Sequence, residues 1–244
     1  TNVTAAFDGD GTFTGTIGKA VVTVADGITM TTAAAIATGK TIDAAGSGKL
    51  AVKIGTADAG VDLTTIGGSA FGTVGTVTVF ENTTFTGTLD NTQKTSVDSG
   101  VTLTTTAAIA TGKTIDGAGT TAITALHSTL DANLTGTGST NVTAAFDGDG
   151  TFTGTIGKAV VTVASGKTMT LTAAKATSET IDGAGTTVIT ALNSTLDADL
   201  SKITSTNVTA AFGADATFTG TIGKAVVTVA DGKTMTAAAV KVAD

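Results

Sequence analysis

Cysteine, proline, tryptophan and tyrosine are all missing from this chain of 244 residues. Without cysteine, neither a disulfide framework nor a thiolate metal site can form. Arginine is absent as well and the net charge is −7, so no basic face is available to neutralise the phosphates of a nucleic acid. No apolar run approaches the roughly 18 residues of a membrane span. These absences disfavour nucleic-acid binding and membrane insertion.

Bulky side chains are scarce in what remains, because nine phenylalanines are the only aromatic residues. An ordinary core of this size relies on aromatic side chains, each of which removes a large apolar area from water. Disorder is disfavoured, since the mean hydropathy is +0.36 and β-branched residues are abundant. The core must therefore be thin, which favours a stack of narrow coils that contact only their neighbours.

The chain repeats itself with a long period. The FTGT motif begins at Phe13, Phe85, Phe152 and Phe218. A regular recurrence this long indicates a solenoid, a propeller or a tandem array. We expect one solenoid over residues 1–244 with internal repeats at about 1–68, 69–138, 139–204 and 205–244, the first and last partial. Insertions lie around residues 46–80, and the start in mid-repeat is typical of a processed product or of part of a longer chain.

Local patterns predict strands and turns. Residues 12–17 alternate between threonine and Phe13, Gly15 or Ile17, as expected of a half-buried strand. Four turns read Asp26-Gly27, Ser99-Gly100, Ser165-Gly166 and Asp231-Gly232. The retained glycine indicates that the turn requires a backbone angle and not a carboxylate.

Two further segments within the repeat are predicted to be extended. The alanine-rich pieces at residues 33–37, 107–110 and 173–176 fit either a helical turn or a tight strand or bend, and the flanking Thr and Gly favour the strand or bend. Residues 187–190 and 196–200 are predicted strands, the second with Leu196, Ala198 and Leu200 facing inward.

The predicted fold is all-β, a parallel β-helix (β-solenoid). Dividing a repeat of about 66 residues by three gives about 22 residues per coil, and hence about eleven coils, although the phase of the coils within each repeat stays open. The alternative is a tandem of small β-sandwich modules. We disfavour it because such modules usually need a core with Trp or Tyr, and these repeats have neither.

The phrases VTVADGKTMT, TIDGAGTTVITAL and LDADLSKITSTNVTA resemble the Thr/Ala/Gly-rich β-strand repeats of long bacterial surface proteins, the adhesin and S-layer-like repeat proteins. The resemblance covers nearly the whole chain and lies in composition and rhythm, without a catalytic fingerprint. It implies an extracellular spacing or load-bearing role, often within an assembly.

Paired carboxylates in the DGDG loops are the candidate metal site. Asp8 and Asp10 recur as Asp147 and Asp149, and together with loop carbonyls they could bind Ca²⁺ through hard oxygen ligands. The alternative is ordinary Asp/Gly turn chemistry, which we favour because the last repeat keeps only Asp215. No other cofactor is indicated.

Catalytic candidates are few. His127 is the only histidine and is replaced by Asn193 one repeat later, which favours a solvent-facing loop residue over a catalytic one. Asp197 and Asp199 could mimic a glycosidase pair on a polysaccharide-active β-helix, but neighbours on an open strand lack an enclosing pocket. We therefore expect no enzyme.

Thr-x-Thr triplets are the main surface feature, and they suggest an ice-binding array. They stand at Thr12/Thr14/Thr16, Thr84/Thr86/Thr88, Thr151/Thr153/Thr155 and Thr217/Thr219/Thr221. The alternative is that threonine is simply a good strand residue that stacks on itself. We favour this because the motif recurs once per repeat and threonine is spread over every part of the repeat.

The expected function is structural: an extracellular, self-assembling filament or surface-layer subunit at the cell surface. Its partners would be copies of itself stacked end to end, because solenoid ends carry unpaired strand edges. No nucleic acid, membrane or small-molecule substrate is expected. An adhesin stalk or an ice-binding solenoid is the alternative.

Overall fold

The computed structural model describes residues 3–72 and 75–238, and most of its regular structure is short β-strand. The chain divides into two compact units. Unit 1 comprises residues 1–122 and 136–141, and unit 2 comprises residues 123–135 and 142–244. The single solenoid over residues 1–244, with its four repeat boundaries, stays a prediction.

Unit 1 is built from eleven described strands, which pair in three groups. The strands are β1 (Thr4–Phe7), β2 (Gly11–Phe13), β3 (Val21–Val24), β4 (Thr29–Ala33), β5 (Ile42–Ala44), β6 (Lys49–Ile54), β7 (Thr76–Val79), β8 (Thr83–Thr84), β9 (Thr95–Val97), β10 (Thr102–Thr106) and β11 (Ile115–Asp116). β1, β3 and β5 form one sheet, and β2, β4, β6, β7, β9 and β11 form a second. β8 pairs with β10.

Unit 2 follows the same plan. Its strands are β13 (Asn141–Phe146), β14 (Gly150–Thr151), β15 (Val160–Val163), β16 (Thr168–Thr172), β17 (Ile181–Asp182), β18 (Thr186–Thr190), β19 (Asn207–Phe212), β20 (Ala216–Phe218), β21 (Val226–Val229) and β22 (Met235–Ala237). β13 pairs with β15 and β15 with β17. β14, β16, β18, β19 and β21 form a second sheet, and β20 pairs with β22. Two strands contain a sequence boundary between the units: β12 (Thr120–Thr124) after residue 122, and β13 after residue 141.

Every strand pairing described within the two units is parallel. Consecutive hairpins, the building block of β-sandwich modules, would pair antiparallel. The prediction of an all-β chain with parallel ladders is confirmed, and the tandem-sandwich alternative does not fit the described strands.

Paired strands are separated by unequal stretches of chain. Thr143 pairs with Val160, Val161 with Ile181, and Ile181 with Ile203, so the stretch between partners grows from each pair to the next. The longest stretches lie in the predicted insertion of unit 1, where Thr41 pairs with Gly67. These stretches vary around the predicted figure of about 22 residues per coil, because the corners between strands differ in length.

The unequal stretches shift each sequence repeat relative to the sheets. Followed from Thr143, three successive pairings lead to Ile203. The residue equivalent to Thr143 in the next repeat is Thr209, which lies further along the chain. As a result β19, which repeats β13, lies in the sheet of β14 and β16. In unit 1, β7 repeats β1 but lies in the sheet of β2 and β4. Equivalent strands of successive repeats thus belong to different sheets.

Small aliphatic side chains fill the interior, as expected from the composition. Along β16, Met169 and Leu171 are fully buried while the threonines beside them face outward. Six of the nine phenylalanines are also fully buried: Phe71, Phe85, Phe146, Phe152, Phe212 and Phe218. Burying such a side chain contributes about 1.5–3 kcal/mol, so these rings are the largest single contributions in a thin core.

The turn glycines behave as predicted. Gly27, Gly100, Gly166 and Gly232 have φ values of 74°, 76°, 71° and 70°. A Cβ at any of them would have no heavy atom within 4 Å. Glycine is required there for the left-handed backbone conformation and not for space. The residue before it is therefore free to be either Asp or Ser.

The alanine-rich pieces are helical turns, and the strand or bend favoured from the sequence is wrong. They form α1 (Ala34–Ala37), α3 (Ala107–Ala110) and α4 (Ala173–Ala176), whose first and last alanines are buried in each case. Residues three apart in a helix share a face, so two small side chains pack inward together at each of these corners. The fourth helix, α2 (Ser69–Gly72), lies in the insertion.

Residues 196–200 do not form the predicted strand. A 3₁₀ turn, Leu192–Ser194, precedes them, and Asp199 makes an isolated bridge to Thr221. Ala198 and Leu200 are buried as expected, while Leu196 is only half-buried. The inward alternation was predictable from the sequence, but this segment is too short and too curved for a regular ladder. The remaining 3₁₀ turns are Thr56–Asp58, Leu63–Thr65 and Leu126–Ser128.

The FTGT segments keep the predicted alternation of inward and outward side chains, but they are not strands over their whole length. In the third copy Phe152, Gly154 and Ile156 point inward and Thr151 and Thr153 outward, but β14 ends at Thr151. The backbone beyond it bends around a corner and bonds to an earlier segment of the chain. Thr153 N donates to Leu130 O at 2.7 Å, and Thr155 N to Ala132 O at 2.8 Å.

Candidate functional site

The second carboxylate of the DGDG loop connects neighbouring turns of the chain. Asp149 Oδ1 accepts the backbone N–H of Thr168 at 2.7 Å, and Asp10 Oδ1 accepts that of Thr29 at 2.6 Å. Asp215 repeats this contact with Thr234 N at 2.7 Å. In the second repeat Asn82 Oδ1 holds Thr102 N at 2.8 Å. The position therefore supplies a side-chain oxygen to cap a backbone donor, and Asn82 shows that a charge is not required.

The two carboxylates of one loop bond in opposite directions along the chain. Asp149 contacts a residue 19 positions later, whereas Asp147 contacts His127, 20 positions earlier. Among residues 3–72 and 75–238, no three His, Cys, Asp or Glu side chains are arranged so that they could hold a metal ion. The proposal that Asp8, Asp10, Asp147 and Asp149 bind Ca²⁺ stays a prediction.

His127 lies in a cluster with Ser128, Asp147 and Gly148, which we call the His127 cluster. The 3₁₀ turn at Leu126–Ser128 presents the imidazole, whose Nδ1–H donates to Asp147 Oδ1 at 2.5 Å. A second hydrogen bond joins Ser128 Oγ and His127 Nε2 at 3.0 Å. The side chain of His127 is 32% exposed, so it lies at the surface but is not a solvent-facing loop residue without partners.

Hydroxyl, imidazole and carboxylate follow one another in the His127 cluster in the order of a hydrolytic triad. Such a triad also needs donors for the oxyanion of the reacting carbonyl. The nearest backbone donors are already used, since Ser128 N donates to Ala125 O at 3.0 Å and Thr129 N to Leu126 O at 3.2 Å. The geometry therefore supports a link between neighbouring turns of chain better than it supports acyl transfer.

One repeat later the same place is occupied by Asn193, Gly213 and Ala214, which we call the Asn193 cluster. Asn193 Oδ1 accepts the backbone N–H of Gly213 at 3.0 Å, which replaces the His–Asp contact. Gly148 is needed in the first cluster because a Cβ there would lie 2.3 Å from His127 Cδ2. Sequence reasoning noticed that Asn193 replaces His127 but missed the partners, although residues 147 and 148 change in the same repeat.

Asp197 and Asp199 do not form an enclosed carboxylate pair. Asp197 is exposed, and Asp199 Oδ1 accepts the backbone N–H of Ser201 at 3.0 Å within its own turn. The Asp199 backbone N–H in turn donates to Thr177 Oγ1 at 2.8 Å. Asp199 therefore caps its own turn in the described structure.

Two carboxyl groups in the described part of the chain titrate away from their usual range. Hydrogen bonds from the backbone N–H and then the hydroxyl of Ser47 lower the pKa of Asp26. Burial raises the pKa of Glu179, and the positive charge of Lys202 opposes that shift. Neither carboxyl belongs to the His127 cluster or to a DGDG loop, so these shifts report local packing and not a shared site.

Two buried polar side chains support the insertion of unit 1, and sequence reasoning missed both. Asp58 is 4% exposed, and its two carboxylate oxygens accept Ala35 N at 2.8 Å and Gly55 N at 2.9 Å. Gln93 Nε2 donates to Phe71 O at 2.7 Å. Both satisfy backbone groups where the chain leaves the regular ladder, which is a structural role.

The threonine triplets do not accumulate on one sheet. The third triplet begins in β14, in the sheet of β16 and β18, whereas the fourth begins in β20, which pairs with β22. The shift of each repeat relative to the sheets produces this separation. Neighbouring strands β16 and β18 nevertheless pair Thr168 with Thr186 and Thr172 with Thr190 on their outward faces.

No helix within the described part of the chain has the length and apolar character needed to cross a membrane. Comparison of the chain with protein-family models, with curated proteins and with solved structures gives no match.

Proposed function

We propose that the parallel ladders are the sides of a β-solenoid of about eleven coils, and that its role is structural and not enzymatic. The support is the regular return of the chain to parallel pairing, with small aliphatic residues facing inward on each strand. The resemblance to the repeats of bacterial surface proteins supports a location at the cell surface. On this proposal the subunits form an extracellular filament or a surface layer.

Unpaired strand edges carry the proposal. In unit 2, β21 pairs only with β19 and β22 only with β20, as far as the described residues go. In unit 1, β1 pairs only with β3 and β2 only with β4, within the same limits. A strand edge of this kind presents free N–H and C=O groups that favour pairing with another strand.

Among the described residues, a cavity lies beside each pair of edge strands. Beside β21 and β22, an apolar cavity of about 380 Å³ is lined by Ile222, Ala225, Val227, Val229, Met235 and Ala237. Beside β1 and β2, a cavity of about 200 Å³ is lined by residues that include Phe7, Phe13, Ile17 and Met30. Covering both cavities would bury apolar surface, at about 25 cal/mol for each Å² removed from water.

A second copy of the chain could cover these edges. In the described residues β1 uses one edge to pair with β3, and β21 uses one edge to pair with β19. The other edge of each strand has no partner strand among the described residues. We propose that this edge of β1 in one copy pairs in parallel with this edge of β21 in another, which gives a heterologous, open-ended assembly.

Electron microscopy and sedimentation of the purified chain over a range of concentrations test this function. We expect linear assemblies that lengthen with concentration. Val227→Lys would bring a charge into the cavity beside β21 and abolish assembly, whereas Thr228→Lys, on the outward side of the same strand, would leave it intact. Monomers at every concentration, or equal assembly of both variants, would sink the proposal.

A second candidate is ice binding, favoured by the outward threonine pairs Thr168/Thr186 and Thr172/Thr190 on β16 and β18. A regular threonine array on a flat sheet can order water, but Val188 faces Thr170 between the two pairs and interrupts the array. Thermal hysteresis tests this candidate. We expect Thr172→Lys to remove any activity that the parent chain shows. A parent chain without thermal hysteresis would reject the candidate.

A further inference from the structure

Asparagine occurs in this chain almost always within the acceptor pattern for N-linked glycans. Of seven asparagines, only Asn91 lacks a serine or threonine two positions later. The other six are Asn2, Asn82, Asn133, Asn141, Asn193 and Asn207. The intervening residue is never proline, so all six match N-x-Ser/Thr. Asn2 lies outside the described residues.

One of these acceptor patterns has a distinct geometry. Asn133 is exposed, and its Oδ1 accepts both the backbone N–H of Thr135 at 3.1 Å and the Thr135 hydroxyl at 2.7 Å. The asparagine and the threonine of the pattern are thus bonded to each other in a surface Asx turn. Leu134 between them is fully buried, which fixes the turn to the core.

Other asparagines of the same pattern are directed elsewhere. Asn82 Oδ1 accepts Thr102 N at 2.8 Å, and Asn193 Oδ1 accepts Gly213 N at 3.0 Å. In both cases the carboxamide oxygen holds the backbone of a segment much later in the chain. A large substituent on those side chains would disturb contacts between neighbouring turns of the chain.

The next repeat provides a matched comparison for Asn133. Asp199 occupies the equivalent position and makes the same turn, with Oδ1 accepting Ser201 N at 3.0 Å and Leu200 buried beside it. Asn133 bridges to Thr155 as Asp199 bridges to Thr221. Because aspartate supports this turn, the turn requires an oxygen at Oδ1 and does not require a carboxamide nitrogen.

We propose that Asn133 is an acceptor for an N-linked glycan. The donor class is an oligosaccharide linked through pyrophosphate to a lipid. In the transfer, Asn133 Nδ2 bonds to C1 of the sugar, the C1–O bond to phosphate breaks and the lipid pyrophosphate leaves, while the Nδ2 proton passes to a base of the transferring enzyme. The Thr135 hydroxyl, bonded to the carboxamide oxygen, stabilises the charge that develops there as Nδ2 loses its proton. The inference rests on the proposed location outside the cytoplasm.

Site-resolved mass spectrometry of the full chain, secreted from a cell that attaches N-linked glycans, tests the inference. After enzymatic release of glycans in heavy-oxygen water, we expect the label at Asn133 at higher occupancy than at Asn82 or Asn193. Thr135→Ser should keep the modification, and Thr135→Val should lose it. An unlabelled Asn133, or occupancy at Asn133 no higher than at Asn193, would overturn the proposal.

Asn133→Asp separates this inference from the proposed function. The variant reproduces the residue found at position 199, so the turn and the thermal midpoint should be unchanged while the glycan mass contributed by position 133 disappears. Assembly is then measured on the same unmodified protein. Loss of the glycan without loss of assembly supports both proposals independently. If the variant keeps the full glycan mass, the acceptor assignment is wrong. If the variant loses the glycan and also fails to assemble, the acceptor assignment stands, and the proposal that the subunits assemble without help from the glycan is contradicted.

Discussion

The His127 cluster and the Asn193 cluster occupy equivalent places in successive repeats and link neighbouring turns of the chain with different chemistry. In the first, an imidazole and the Asp147 carboxylate form the contact, and Gly148 leaves room for the ring. In the second, Asn193 reaches the backbone of Gly213 directly, and Ala214 replaces the glycine. Three positions have changed together, which shows that the contact between neighbouring turns is retained while its side chains are exchangeable.

Other positions do not change between these repeats, and they mark where exchange is not tolerated. Gly154 and Gly220 both belong to FTGT motifs, and a Cβ at either would lie 2.1 Å from a backbone carbonyl oxygen of Ala132 or Ala198. Backbone atoms packed in a ladder cannot move aside as the end of a side chain can. The comparison therefore separates contacts made by side chains, which vary, from close backbone approaches, which do not.

The largest expected effect is at these glycines. Gly154→Ala and Gly220→Ala should each lower the free energy of unfolding by about 3 kcal/mol, the upper part of the range for overpacked sites. Gly15→Ala is the control, because the atoms nearest to a Cβ there belong to the Phe13 side chain, from 3.0 Å, and not to the backbone. Urea unfolding followed by circular dichroism measures all three. Equal losses at Gly15 and Gly154 would contradict the assignment to backbone contact.

The coupling within the His127 cluster gives the next largest effect. Gly148→Ala should cost about 2 kcal/mol, because the new methyl group overlaps the imidazole. His127→Asn in the same chain should recover much of the loss, since that pair is the combination found at Asn193 and Ala214. A double-mutant cycle with an interaction energy of about 1 kcal/mol or more would establish the coupling. If the losses in unfolding free energy from Gly148→Ala and His127→Asn simply add, residues 127 and 148 are not coupled, and overlap with the imidazole does not explain why both differ between the two clusters.

Loss of the Asp149 cap should cost less. Asp149→Ala removes the acceptor for Thr168 N and should lower the free energy of unfolding by about 1 kcal/mol. Asp149→Asn should be nearly neutral, because Asn82 makes the same contact in the second repeat. Adding calcium distinguishes the alternative function of the loop. A Ca²⁺-dependent rise in the thermal midpoint that both substitutions abolish would favour the metal site over the cap.

The parts of the fold that were predictable from the sequence are those determined by near neighbours in the chain. The alternation of Phe152 and Gly154 with outward threonines follows from the two-residue period of an extended chain. The need for glycine at position 166 follows from the positive φ angle that its turn requires. The contact between His127 and Asp147 was not predictable, because it depends on how much chain lies between neighbouring turns. That length is set by the corners, and the corner at Ala173–Ala176 is a helical turn with Ala173 and Ala176 buried, which the flanking Thr and Gly did not indicate.

The smallest expected effect concerns Glu179, where the two repeats also differ, since the equivalent residue is Lys113. Burial raises the pKa of Glu179 above its ordinary value of 4.5, so the folded state binds this proton more tightly than the unfolded chain does. The resulting stabilisation is complete below pH 4.5 and is lost as the pH rises through the folded-state pKa. Because the side chain is partly exposed, solvent screening keeps the effect small.

Glu179→Gln should therefore gain stability relative to the parent chain as the pH rises from 4 to 7, measured by urea unfolding at both values. Lys202→Met is the complementary variant, because Lys202 opposes the raised pKa and its removal should steepen the dependence on pH. A difference between Glu179→Gln and the parent chain that is the same at pH 4 and pH 7 would show that the buried carboxyl does not titrate differently on folding. The contrast with Lys113 would then reflect charge alone. The charged ammonium of Lys113 donates to Leu89 O at 2.7 Å and makes this bond without gaining or losing a proton.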